Sequence, residues 1–137
     1  MNEINLDALF EKAEAAALRA YAPYSRFRVG AALLCDDDTI ITGCNVENRS
    51  FGLTICAERT AVTKAVSEGH RSFRALAIST PDSAIPVGPC GACRQVLSEF
   101  MAPEAPVRFK GSNGQKVDTT IGSLYPFDSL HDLAIPE

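Results

Sequence analysis

Residues 54–101 read TICAERTAVTKAVSEGHRSFRALAISTPDSAIPVGPCGACRQVLSEFM, and this stretch decides the fold. Ala57, Ala61 and Ala65 form one stripe with Val62 and Val66 beside it. That spacing predicts a helix over about 56–68, with Thr54 as its cap and Gly69 as its stop. Arg74–Thr80 is a short apolar run that reads as a buried strand. A proline-rich loop (Pro81, Pro86, Pro89) leads to a second helix over about 90–101, with Cys93, Val96, Leu97, Phe100 and Met101 on one face. Consecutive packed elements with short connections run antiparallel, so the two helices point the same way. Their N-termini then lie together near the C-terminal end of the strand, the edge where α/β proteins place their sites. Cys56 sits at one N-terminus, Cys90 and Cys93 at the other.

Outward from this core, residues 5–20 read as a helix capped by Asn5, with Leu6, Leu9, Phe10, Ala13, Ala17 and Leu18 at helical spacing. Tyr21-Ala22-Pro23-Tyr24-Ser25 stops it, because proline cannot continue the hydrogen-bond ladder. Two extended runs, 27–35 and 39–46, flank Asp36-Asp37-Asp38, a hairpin link. Residues 107–110 and 116–121 read as two more strands around the turn signal Asn113-Gly114, with parallel pairing left open. Five strands and at least three helices in mixed order give an α/β layered domain, expected to span residues 1–137 as one unit.

A chain of 137 residues with 46% apolar and 22% charged residues has the balance of a globular protein rather than a disordered one. The net charge of −4 argues against a nucleic-acid partner, which calls for a basic stripe. No apolar run reaches the roughly 18–20 residues of a membrane span, so no membrane partner is expected. The N-terminus lacks a basic region followed by an apolar stretch, which makes the cytoplasm the expected compartment. Five cysteines, an odd number, then speak for metal or redox chemistry rather than a disulfide framework.

Helix N-termini favour thiolates over thiols. Three thiolates with one open position are the pattern of a catalytic zinc, whereas a structural zinc usually has four protein ligands. Glu58 lies in the first turn beyond Cys56, where a carboxylate can serve as general acid and base beside an activated water. Arg59 can offset the surplus negative charge of three thiolates on a divalent ion. Each feature also has a plainer reading. Cys90-x-x-Cys93 alone fits a redox pair or half a structural site, and Cys44 as a fourth ligand makes a non-catalytic zinc-stabilised module. Glu58 alone complements a helix dipole, Asn45 and Glu47 are ordinary turn residues, Phe27, Cys35 and Cys44 are core, and His70 and His131 have no ligand spacing.

Cys56-Ala57-Glu58 followed by Pro89-Cys90-Gly91-Ala92-Cys93 resembles the zinc nucleobase-deaminase signature, with cysteine in place of histidine. Tyr21 to Ser25, Phe27, Val29 to Ala32, Asn45 to Asn48 and Thr54 to Arg59 are similar to the short-chain cytidine deaminases, and the likeness covers nearly the whole chain. The resemblance implies a three-layer αβα fold on a five-stranded mixed sheet. It implies zinc on Cys56, Cys90 and Cys93, with Glu58 as proton shuttle. It also implies that the backbone N–H of Ala57 meets the pyrimidine carbonyl, that Asn45 and Glu47 take the ribose hydroxyls, and that Phe27 packs on the nucleoside. Arg59 would bond the cysteine sulfurs. The implied reaction is hydrolytic deamination of cytidine and 2′-deoxycytidine in pyrimidine salvage, by a homotetramer whose sites neighbouring subunits complete. A deaminase of blasticidin S, a cytosine-bearing antibiotic, shares the motif and is the alternative. The chain departs from the family at Phe51, where many relatives carry tyrosine, and at Leu124-Tyr125-Pro126-Phe127, where Phe127 is an aromatic lid candidate.

Overall fold

A computed structural model describes residues 3–133; Met1, Asn2 and residues 134–137, at the ends of the expected domain, lie outside the described residues. The chain runs α1 (Leu6–Ala17), β1 (Gly30–Cys35), β2 (Ile40–Cys44), a single 3-10 turn (Phe51–Leu53), α2 (Ala57–Ser67), β3 (Phe73–Ser79), α3 (Gly91–Phe100), β4 (Pro106–Lys110), β5 (Lys116–Thr120) and α4 (Ile121–Leu124). The strands form one sheet in the order β2-β1-β3-β4-β5. Only β3 and β4 pair in parallel, and α3 is the crossover that this pairing requires. The other three pairs are antiparallel, so the expected mixed five-stranded sheet is present, and Asn113-Gly114 makes a hairpin with Gly114 at φ 87°.

Alternation along the strands sorts the core into two faces. Ala31, Leu33 and Cys35 of β1 and Leu76 and Ile78 of β3 pack with α2 and α3. Ala32, Ala75 and Ala77 pack against Leu9, Phe10 and Ala13 of α1 on the opposite side. The result is the three-layer αβα arrangement, with α1 alone on one face.

Several boundaries differ from the sequence reading, each for a local reason. Helix α1 ends at Ala17 rather than 20, because Arg19 and Ala20 donate to the carbonyls three residues back, at Ala16 and Ala17, and Tyr21 then bridges to Val46. Leu18, counted on the apolar stripe, is exposed. Strand β1 begins at Gly30, not Phe27, because side chains rather than a neighbouring strand take the amides of 27–29. Helix α2 is capped by Cys56 instead of Thr54, since Ile55 is still extended and bridged to Val46. Residue 121 opens α4, capped by Thr120, instead of closing β5. Cys35 is buried as expected, but Cys44 is half-buried beside Lys12, Thr60 and Lys64 in a surface groove.

The layers approach closely enough to exclude a methyl group. A Cβ on Gly30 would collide with the carbonyl of Ala13 and the amide of Ala17 in α1. A Cβ on Gly43 of β2 would lie 2.5 Å from the Ala61 amide and 2.7 Å from the Ala57 carbonyl of α2. Neither obstacle is a flexible side chain, so the helix itself must move. Gly43→Ala is therefore expected to cost about 1–3 kcal/mol of stability, read by chemical denaturation. A change under about 0.5 kcal/mol, the size of an ordinary surface substitution, would show that α2 is not seated this tightly.

Candidate active site

Helices α2 and α3 begin side by side, and the residue capping each N-terminus is a cysteine: Cys56 (ψ 154°) and Cys90 (ψ 166°). Neither thiol makes a capping bond, which leaves both free to face one another, with Sγ atoms 3.8 Å apart. Cys93, buried in the first turn of α3, completes a group whose three sulfurs lie within 4.8 Å of one another. No histidine, carboxylate or further cysteine joins this group among the described residues. Cys44 faces a different groove, so the fourth-ligand arrangement is not formed.

Tetrahedral zinc with Zn–S bonds of about 2.3 Å spaces its sulfurs by about 3.8 Å. The donor chemistry and the observed spacing both fit that ion, with one of four positions left for a non-protein ligand. Arg59, one turn into α2, donates from Nη2 to Cys56 Sγ at 3.3 Å, and its buried Nε has no partner. The Cys93 thiol and the Arg59 guanidinium hold Cys56 well below the usual thiol range, at about 5. Cys93 is pushed up by its bond to Cys56 and by burial. Cys56 is thus the sulfur that gives up its proton more readily, and Cys93 the one that keeps it.

Glu58 is 4% exposed. Burial pushes its carboxyl up to about 7, the neighbouring Cys56 adds to this, and Arg59 opposes it. A carboxyl poised there gives and takes protons near neutral pH. Ala57, which lines the same cavity, is in the first turn of α2, where the amide has no intrahelical acceptor.

That cavity holds about 300 Å³, at the lower end of the small-molecule range of about 300–1,000 Å³. Its wall brings together Phe27, Asn45, Glu47, Cys56, Ala57, Glu58 and Cys90; of the residues expected at the site, Cys93, Arg59 and Phe127 do not line it. Asn45 Nδ2 donates to the Phe27 carbonyl and Oδ1 accepts from the Val29 amide, both at 2.8 Å. Glu47 Oε1 accepts from the amides of Tyr24 (2.9 Å) and Ser25 (3.1 Å), and Oε2 accepts from the Ser25 hydroxyl. These bonds hold the Glu47 carboxyl below its ordinary range, the Ser25 hydroxyl most of all. An ionised carboxylate has about four acceptor positions and a carboxamide two donors and two acceptors. Glu47 therefore keeps one acceptor, and Asn45 keeps one donor and one acceptor, for another partner.

The sequence reading gave no role to Ser25, Thr80, Val87 and Gly88, which also line the cavity. Nor did it single out Arg94, which donates from Nε to the Pro89 carbonyl beside Cys90 and from Nη1 to the Leu124 carbonyl. Proline at 86 and 89 signals a fixed loop, but nothing in the sequence says which carbonyl an arginine five residues on will meet. Phe127, at φ 50°, projects fully into solvent and lies on a separate groove beneath the C-terminal segment.

Residues 4–108 match the family model for the cytidine and deoxycytidylate deaminase zinc-binding region. The chain is 49% identical over 123 residues to a cytidine deaminase of Sporosarcina psychrophila, covering 90% of each. A blasticidin-S deaminase of Bacillus cereus is 36% identical over 109 residues, 74% of this chain and 76% of its own length. The crystal structure of a cytidine deaminase from Burkholderia pseudomallei superposes with a TM-score of 0.86 at 45% identity, over 90% of this chain and 98% of that one. A cysteine-ligand site at paired helix N-termini, a likeness of this extent and the matching family model agree: the chain belongs to the zinc-binding cytidine and deoxycytidylate deaminase family.

Proposed function

We propose that this protein is a zinc-dependent cytidine deaminase that converts cytidine and 2′-deoxycytidine to uridine and 2′-deoxyuridine with release of ammonia, in pyrimidine salvage. The observation that carries the reading is a cluster of three thiols, two of them from cysteines on the cavity wall, beside a buried carboxyl on the same wall. Cys56, Cys90 and Cys93 are the zinc ligands. Zinc bound there supplies Lewis acidity that brings the pKa of water close to neutral. Glu58 takes one proton from the attacking water and passes it to ring N3, then takes the second from the new C4 hydroxyl and delivers it to the departing amine. The C4–O bond forms, the C4–N bond breaks and ammonia leaves. The Ala57 amide meets the pyrimidine carbonyl, and Phe27 packs against the ring. The spare hydrogen-bonding positions on Asn45 and Glu47 take the ribose hydroxyls, so an analogue without those hydroxyls leaves buried polar groups unpaired. The 49% identity to the Sporosarcina psychrophila cytidine deaminase, against 36% to the antibiotic deaminase, favours a nucleoside substrate.

The same reading makes the catalytic unit one domain spanning residues 1–137, cytoplasmic and homotetrameric. No helix among the described residues is long and apolar enough to cross a membrane. Support for assembly comes from exposed apolar groups on the segments that flank the cavity residues Glu47, Thr54 and Cys56. Tyr24 packs on Phe51 with ring centroids 5.6 Å apart, and Phe51, Leu53, Val46 and Ile55 are all at least 40% exposed. A neighbouring copy would bury that patch, and light scattering is expected to give the mass of four chains.

Cytidine mixed with the zinc-loaded protein is expected to lose its absorbance spectrum to that of uridine while ammonia appears; no turnover with zinc present would overturn the proposal. Glu58→Gln is expected to keep zinc and fold while turnover falls at least about a hundredfold. Cys90→Ala is expected to lose zinc on dialysis under conditions where the parent protein retains it, as metal analysis would read. Zinc retained in full by that variant would remove Cys90 from the ligand set.

A further inference from the structure

The segment that carries Phe27 is held in an unusual way. Its six successive amides, from Tyr24 to Val29, all have acceptors, yet only one of these is a backbone carbonyl, that of Ala22, which takes the Arg26 amide. Glu47 takes the amides of Tyr24 and Ser25, the Ser25 hydroxyl that of Phe27, Asp82 that of Arg28, and Asn45 that of Val29. Arg26 sits at φ 58°, so the segment does not rest in a regular strand or helix that would hold it unaided.

Glu47 and Asn45 reach this segment from the β2 side of the cavity. Asp82 alone among these acceptors comes from the opposite side, from the loop between β3 and α3 that continues into Val87 and Gly88 on the cavity wall. Its Oδ2 accepts from the Arg28 amide at 2.9 Å and from Arg28 Nε at 3.0 Å, and its Oδ1 accepts from Arg28 Nη2 at 2.8 Å. The paired guanidinium holds the Asp82 carboxyl down at about 2, so it is ionised at any working pH. The loop under it is itself fixed. The Thr80 amide donates to the Lys110 carbonyl, and Ser112 and Asn113 of the β4–β5 hairpin donate to the carbonyls of Ser83 and Ala84 at 2.8 and 3.1 Å. A Cβ on Gly111 would lie 2.5 Å from the carbonyls of Ser83 and Ile85, so hairpin and loop are in contact.

We propose that Asp82 and Arg28 form a clamp that ties the two walls of the nucleoside pocket together and sets the position of Phe27 for substrate binding. Both are positioning residues: neither lines the cavity, and each acts through the segment or loop it holds. The clamp rests on the assignment of this cavity as the cytidine site. It acts on ground-state binding, because its bonds run between Arg28 and Asp82 and none of them reaches the thiols or Glu58. Loss of the clamp therefore weakens substrate and transition state alike, which raises KM and leaves kcat unchanged.

The test compares Asp82→Ala, Arg28→Ala and the double variant as zinc-loaded enzymes, with KM and kcat for cytidine measured beside thermal stability and amide hydrogen exchange. Arg28→Ala removes a partly exposed ion pair but keeps the amide bond to Asp82, and is expected to raise KM about two- to fivefold. Asp82→Ala also removes the charge-assisted bond to the Arg28 amide, and is expected to raise KM about tenfold and to speed exchange of the 27–29 amides. The double variant is expected to match Asp82→Ala, since everything Arg28 contributes passes through Asp82. In all three, kcat stays within about twofold, because the lost interaction is one of uniform binding. Unchanged KM in Asp82→Ala, an equal fall in kcat, or additive effects in the double variant would overturn the clamp. If the parent enzyme itself leaves cytidine unconverted, the deaminase reading fails, and exchange of the 27–29 amides alone decides the clamp: unchanged rates in Asp82→Ala would refute it.

Discussion

Two helices begin at the same edge of one sheet, and the rest of the site depends on that coincidence. Helix α2 precedes β3 and α3 follows it, so both run against the strand and both present their N-termini at its C-terminal end. An N-terminus offers free amides and a partial positive charge. Here the residues capping both helices are cysteines, which leave the amides unclaimed and place two sulfurs in contact distance. Had either cap been serine or aspartate, its side chain would have turned back onto its own helix. Loss of the capping bond is a local cost in stability, and the thiol cluster is what stands in its place.

Charge then explains why Arg59 and Glu58 differ so much in their surroundings. Three sulfurs this close cannot all ionise unaided, and the shift of Cys56 downward and Cys93 upward is the protein's own compromise. A divalent ion held by the three sulfurs would displace the remaining protons, and Arg59 would balance the unit of negative charge left over. Glu58 is next to this cluster in sequence but shielded in the wall, where burial favours its neutral form. The two neighbours on α2 thus stand differently: Arg59 bonds a sulfur, and Glu58 is buried with its carboxyl raised to about 7.

Most of the architecture was legible because its signals are local. Alanine and valine stripes set α2, proline and glycine set the ends of the helices, and the order of elements fixed which ends meet. The three thiols and Glu58 followed from that order together with the family motif. What stayed hidden depends on contacts between segments distant in the sequence. The run 27–29 has strand-like composition, yet its amides go to Ser25, Asp82 and Asn45, so the strand starts three residues later. Thr54 has the chemistry of a helix cap, but the bridge between Val46 and Ile55 keeps the chain extended until Cys56. Arg28 and Asp82 are separated by 54 positions, and no periodicity or motif links them.

The residues proposed to recognise the nucleoside, Asn45 and Glu47, also build the wall it would meet, and this constrains how specificity can be tuned. Glu47 spends three of its acceptor positions on Tyr24 and Ser25, and Asn45 spends one donor and one acceptor on Phe27 and Val29. Each keeps only a small remainder in a fixed direction, because the bonds already made prevent the side chain from turning. A partner hydroxyl must come to that direction, which is a stricter demand than a mobile carboxylate would impose. It follows that Glu47 or Asn45 cannot be changed to adjust recognition without also loosening the segment that carries Phe27. Room for change lies instead at positions such as Thr80 and Val87, whose side chains shape the cavity without bonding to the Phe27 segment.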